Sequence, residues 1–169
     1  MRDSFAHLLE LVYFMAPAYG ANMAPPLVKF WRGWNRPIHE PWFGAHKTVL
    51  GFCVGVAAAV AAAFAQRVID SPLSRVDYAD WPVLGLAFGL GAMVGDTAKS
   101  FCKRRLGMAP GTRWIPIDQL DFAIGALVAT RAWVRLDAAD IALVLATTFV
   151  GDVVVNRAAF RLGMKDTPW

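Results

Sequence analysis

Charge is what this chain has least of. Asp, Glu, Lys and Arg make up only 18% of its 169 residues, while 57% are hydrophobic. A soluble globular domain of this size rarely carries so much apolar surface, so a membrane protein is indicated. Cysteine is scarce too. Cys53 and Cys102 lie within or beside apolar runs, so a disulfide framework is not expected. Met1 to Glu10 carries Asp3 and Glu10 and no basic run, so no removable signal peptide is expected. No connection is long enough for a separate soluble domain, and a single domain over 1–169 is expected. The net charge of +4 does not imply nucleic acid as a partner. The basic residues stand at the ends of apolar segments and form no basic domain.

What the chain has in abundance is long apolar runs. A helix needs about 20 mostly apolar residues to cross a bilayer. Five stretches qualify: 8–30, 47–66, 81–101, 119–135 and 139–158. The expected fold class is therefore all-α, a polytopic membrane protein with five transmembrane helices. Pro17, Pro25 and Pro26 should kink or break the first. The second, "VLGFCVGVAAAVAAAFA", has small residues throughout, which allows close helix packing. The connection at 31–46 holds Trp31, Trp34 and Trp42 and reads as an interfacial segment with a short helix on the membrane surface.

Lys and Arg set the expected orientation. Twelve fall on one side of a five-span chain: Lys29, Arg32, Arg36, Lys47, Lys99, Lys103, Arg104, Arg105, Arg113, Arg157, Arg161 and Lys165. Five fall on the other: Arg2, Arg67, Arg75, Arg131 and Arg135. The N-terminus is then outside and the C-terminus cytoplasmic.

Two segments repeat. "GDTAKSFCKRRLGM" (95–108) and "GDVVVNRAAFRLGM" (151–164) share a Gly-Asp opening and an Arg-Leu-Gly-Met ending. Both fall at cytoplasmic ends of inward-running helices, and each brings a carboxylate to bilayer depth. Such a charge costs at least a few kcal/mol unless it faces a bundle interior or a wet cavity. Asp152 has Asn156, Arg157 and Arg161 as polar company, and a structural role suits it about as well as a functional one. Asp96 differs: Asp96, Lys99, Ser100 and Lys103 fall at i, i+3, i+4 and i+7, one polar stripe on a helix. Arg104 and Arg105 extend the positive charge beyond what one carboxylate needs, which suits a bound polyphosphate as well as lipid headgroups.

"RWIPIDQLDFAIG" places Asp118 and Asp121 three apart at the next helix entrance. Helix capping explains one acid there better than two. With Asp96, they make a hard-oxygen set suited to Mg²⁺, which completes its shell with water and substrate phosphates. A nucleoside triphosphate would meet both the metal and the basic residues. "GAHKTVLG" (44–51) brings His46, Lys47 and Thr48 to a helix N-terminus, an anion-binding arrangement. Asn22 precedes the Pro25-Pro26 break. On charge grounds, Asp96, Lys103, Asp118 and Asp121 are expected to carry the chemistry. Lys47, Lys99 and Arg104 should hold phosphates, with Ser100 and Asn22 hydrogen-bonding the nucleotide. An ion-coupled transporter is the competing class, but a carrier should distribute polar residues along both halves of its path.

Ser100-x-x-Lys103-Arg104 followed by Asp118-Gln119-x-Asp121 resembles the signature of CDP-diacylglycerol synthases, with Gln119 where that pattern has Arg. Asn22-x-x-Pro25, Pro37-Ile38, Gly44-x-His46-Lys47-Thr48-x-x-Gly51 and Gly95-Asp96-x-x-Lys99-Ser100-x-x-Lys103-Arg104-Arg105-x-Gly107 extend the likeness across nearly the whole chain, where it resembles the CDP-archaeol synthase family. That resemblance implies a five-helix, Mg²⁺-dependent cytidylyltransferase of the cell membrane. It would transfer CMP from CTP to an unsaturated archaeal ether-lipid phosphate, at a site facing the cytoplasm. Phosphatidic acid remains an open alternative as lipid substrate.

Overall fold

A computed structural model describes residues 4–109 and 111–163, and every regular element among them is helical. The order is α1 (Ser4–Met23), a 3₁₀ helix (Pro25–Phe30), α2 (Glu40–Phe43), α3 (Val49–Ile69), α4 (Trp81–Arg105), α5 (Ile117–Thr130) and α6 (Ala138–Arg161). Arg2, Met164 and Lys165, used above for the charge split and the repeat, lie outside the described residues. Cys53 and Cys102 are both free thiols.

Among the described residues, three helices are long and apolar enough to cross a membrane: α3, α4 and α6. They answer to the expected stretches 47–66, 81–101 and 139–158. The stretch 119–135 becomes α5, whose 14 residues extend about 21 Å, short of a bilayer core of about 30 Å. The stretch 8–30 divides. α1 runs through Pro17 and ends at Met23, and the 3₁₀ helix begins at Pro25. Two successive prolines cannot continue the hydrogen-bond ladder, whereas a single one is tolerated within the packed helix.

α1 buries Leu11, Phe14, Met15, Ala18 and Ala21, a stripe at helical spacing. Phe14 meets Phe88 of α4 edge-on at 5.1 Å between centroids. α3 buries Gly51, Gly55, Ala59 and Ala63 at strict i+4 spacing, so the small residues do form the packing face. α4 is the central helix and carries two glycine pairs. A Cβ on Gly85 or Gly89 would come within 2.8 Å of the α3 backbone, at Val60 and Val56. On the other side a Cβ on Gly91 would stand 2.5 Å from the Gly125 carbonyl of α5, and one on Gly95 would strike the carbonyl of Asp121. Glycine therefore lets α5 approach α4 backbone to backbone. That approach sets Asp121 beside the charged stripe of α4.

Among the described helices, α6 packs on α1 and α5 and on no other. At the end remote from that stripe, His7 Nε2 lies 2.7 Å from Asp140 Oδ1, and Arg75 reaches Asp140 at 3.3 Å and Glu10 at 3.9 Å. These contacts tie α1, the 70–80 loop and α6 together. In the 31–46 connection, α2 is a single turn. Trp42 and Phe43 lie against Phe101 of α4, at 5.8 and 6.3 Å between centroids, while Trp31 and Trp34 are exposed.

Candidate active site

The repeated segment ends its helix by a definable mechanism. After Arg105, Gly107 takes φ +69°. Its amide donates to the Arg104 carbonyl at 3.2 Å, and the Met108 amide donates to Lys103 at 3.0 Å. This is the Schellman closure, which needs a left-handed residue and so selects glycine. After Arg161, Gly163 has the same left-handed φ of +69°, with its amide on the Phe160 carbonyl at 3.0 Å. Leu-Gly thus stops α4 and α6 alike, and in α4 it leaves the charged last two turns facing the entrance of α5.

Asp96 accepts from two lysines. One is Lys47, from the loop before α3; the other is Lys99, 3.1 Å away on the same helix. Lys99 also reaches Asp121 Oδ2 at 2.6 Å and Asp118 Oδ1 at 3.7 Å. Lys103 pairs with Asp118 Oδ1 at 2.5 Å and donates to the Thr112 carbonyl at 2.7 Å. Three ammonium groups and three carboxylates therefore interlock across three segments. At low dielectric each charge depends on the others; removing one partner of such a pair costs about 3–5 kcal/mol. Asp118 Oδ2 also accepts the Trp114 amide at 2.7 Å, and Asp121 Oδ1 accepts the Phe122 amide at 2.6 Å.

A cavity of about 480 Å³ opens against this cluster. Of the residues expected from sequence, Asn22, His46, Lys47, Thr48, Asp96, Lys99, Lys103 and Asp118 all line it. Thr48 in addition caps α3, its hydroxyl accepting the Gly51 amide at 3.1 Å. Four expected residues do not line it. Ser100 is buried and donates to the Asp96 carbonyl at 3.0 Å, satisfying the helix rather than a ligand. Arg104 turns to the Ala109 carbonyl at 3.2 Å, and Arg105 lies over the Phe101 ring at 5.1 Å. Asp121 stands behind the wall with its side chain 4% exposed, bonded to Lys99.

The walls also include residues not singled out from sequence as a site, namely Arg113, Gln119 and Phe122, and they include Asp152 and Asn156 of α6. Asn156 Nδ2 donates to Asp152 Oδ2 at 2.7 Å. The repeat had marked Asp152; no sequence signal marked Arg113 beyond its charge.

The metal expectation was a cage of Asp96, Asp118 and Asp121. Among the described residues no group of three such side chains is arranged around one point, and the Lys99 ammonium lies between them instead. Asp96 and Asp118 nonetheless both line the cavity. Two carboxylates with phosphate oxygens and water suit Mg²⁺, so the donor set fits that ion.

A family model described as CarS-like CDP-archaeol synthase matches residues 5–169. A CDP-archaeol synthase of Thermofilum pendens is 35% identical, over 92% of this chain and 78% of its own length. One from Halorubrum lacusprofundi is 36% identical, over 92% and 93%, and one from Pyrococcus furiosus 31%, over 96% and 98%. A solved structure of an intramembrane enzyme for archaeal membrane lipid biosynthesis aligns with TM-score 0.74 and 30% identity, covering 88% of this chain and 94% of that one.

Proposed function

This chain belongs to the CarS-like CDP-archaeol synthase family, and from that premise we propose how its site works. The protein is an integral membrane enzyme that transfers CMP from CTP to an archaeal ether-lipid phosphate, forming CDP-archaeol and pyrophosphate. The observation that carries the reading is the lysine–aspartate cluster at the wall of a 480 Å³ cavity. A transporter needs no such convergence at one end of the bundle.

An oxygen of the lipid phosphate attacks the α-phosphorus of CTP. A P–O bond forms there as the bond to the β-phosphate oxygen breaks, and pyrophosphate leaves with that electron pair. The lipid phosphomonoester is already an anion, so proton removal is a minor problem. The barrier is electrostatic: two anions must meet and a third must depart. Lys47 and Lys103 line the cavity and neutralise phosphate charge. Lys99, held by Asp96 and Asp121, fixes the carboxylates and keeps α4 and α5 in register. Mg²⁺ would be held by Asp96 and Asp118, and when bound it supplies further neutralisation of the triphosphate. Asn22, His46 and Thr48 line the nucleotide side.

The cavity faces the cytoplasm in this reading, with α1 and the 117–135 segment that α5 begins as the other two crossings. Its supports are the excess of Lys and Arg at the site's end and the need for CTP. The lipid phosphate enters laterally, beside Asp152 and Asn156, because α6 makes no contact with α3 or α4 there. An unsaturated isoprenoid ether lipid is the preferred acceptor on family grounds. Purified protein given labelled CTP, Mg²⁺ and a panel of ether and ester lipid phosphates should label the unsaturated ether lipid fastest. Faster labelling of phosphatidic acid would transfer the assignment to the diacylglycerol class.

A further inference from the structure

The loop joining α4 to α5 is pinned by the site's own charged residues. Lys103 holds the Thr112 carbonyl at 2.7 Å, and Asp118 holds the Trp114 amide at 2.7 Å. Arg113 sits between those two clips and lines the cavity. Both chain neighbours of Arg113 are thus fixed by groups of the catalytic cluster, which holds this exposed residue at the cavity wall.

The charge around the cavity gives this position its meaning. Among the described residues, Lys47, Lys99 and Lys103 are matched by Asp96, Asp118 and Asp121. The walls themselves carry Lys47, Lys99, Lys103 and Arg113 against Asp96, Asp118 and Asp152, because Asp121 stands behind them. Without Arg113 the lining lysines and carboxylates would balance at three each, leaving no net positive charge to attract a triphosphate. A guanidinium also presents a planar fork of donors matched to phosphate oxygens, which an ammonium lacks. The loop follows the C-terminal end of α4 directly.

We propose that Arg113 binds the leaving end of the nucleoside triphosphate, the β- and γ-phosphates that depart as pyrophosphate. This rests on the cytidylyltransferase reading above. Arg113→Gln and Arg113→Lys, with the wild type, are tested for equilibrium binding of CTP and of pyrophosphate, and for KM towards both substrates. In Arg113→Gln, CTP and pyrophosphate should each bind about tenfold or more weakly, the loss expected for one charge-assisted phosphate contact. The KM for lipid phosphate should stay unchanged, and Arg113→Lys should fall between the two. Unchanged CTP and pyrophosphate binding in Arg113→Gln would overturn the proposal, as would a loss confined to the lipid KM. Failure of the wild type itself to bind CTP would instead remove the cytidylyltransferase reading.

Discussion

Lys99 on α4 reaches Asp121 on α5 at 2.6 Å, and this contact holds the two halves of the site together. Both side chains are largely buried, at 13% and 4% exposure. Lys99→Met would leave Asp121 without its cation, at a cost of about 3–5 kcal/mol. The variant should melt well below wild type and transfer no CMP. Adding Asp121→Asn should restore much of the stability and none of the activity. Thermal melts and transfer assays on the single and double variants check this; equal melting of Lys99→Met and wild type would show that the contact is not stabilising.

The repeat supplies a sharper comparison through its two opening glycines. A Cβ at Gly95 meets the Asp121 carbonyl, whereas one at Gly151 meets nothing within 4 Å. Gly95→Ala should push α5 off α4, cost about 1–3 kcal/mol as overpacking does, and depress transfer although it removes no polar group. Gly151→Ala should behave as wild type. Equal tolerance of both would contradict the close α4–α5 approach.

The two aspartates of the repeat should separate in the same way. Asp96 receives Lys47 and Lys99, while Asp152 receives Asn156 at 2.7 Å. Asp96→Asn should abolish CMP transfer, and Asp152→Asn should retain measurable turnover with altered lipid KM. A folded Asp152→Asn protein as inactive as Asp96→Asn would move Asp152 into the chemistry.

Much of this site was legible beforehand because helical spacing alone groups Asp96, Lys99 and Lys103. The same geometry explains the failures. At about 100° per residue, Arg105 lies on the opposite face from Asp96, and Arg104 lies well off the stripe. Charge was a guide to them; angular position was a better one. Ser100 does share the stripe, yet a buried helical serine finds its nearest acceptor in the carbonyl four residues back. The central position of Lys99 could not be read from sequence. It depends on how closely α5 approaches, and hence on Gly91, Gly95 and Gly125 meeting across the interface. Arg113 was invisible for a similar reason: its position comes from two loop hydrogen bonds, not from any periodicity. Length was legible for α3, α4 and α6, where apolar composition and helix coincide. It failed for 119–135, because the apolar run outlasts the helix that begins it.

Orientation has its own test. A cysteine placed at Thr112, in a variant lacking Cys53 and Cys102, should be labelled by an impermeant thiol reagent only from the cytoplasmic face of sealed vesicles. Labelling from outside would reverse the topology and the assignment of the cavity to the cytoplasm.

The central claim is that the α-phosphate of CTP becomes attached to a lipid phosphate in this cavity. The most direct measurement follows two labels through the reaction. Purified wild-type protein receives CTP labelled at either the α- or the γ-phosphate, together with Mg²⁺ and an unsaturated ether-lipid phosphate. The account predicts that the α-label enters the lipid fraction while the γ-label leaves as pyrophosphate in equal amount. Both should stop in EDTA and resume when Mg²⁺ is restored. Transfer of the γ-label to lipid, or no α-label in any lipid product, would contradict it.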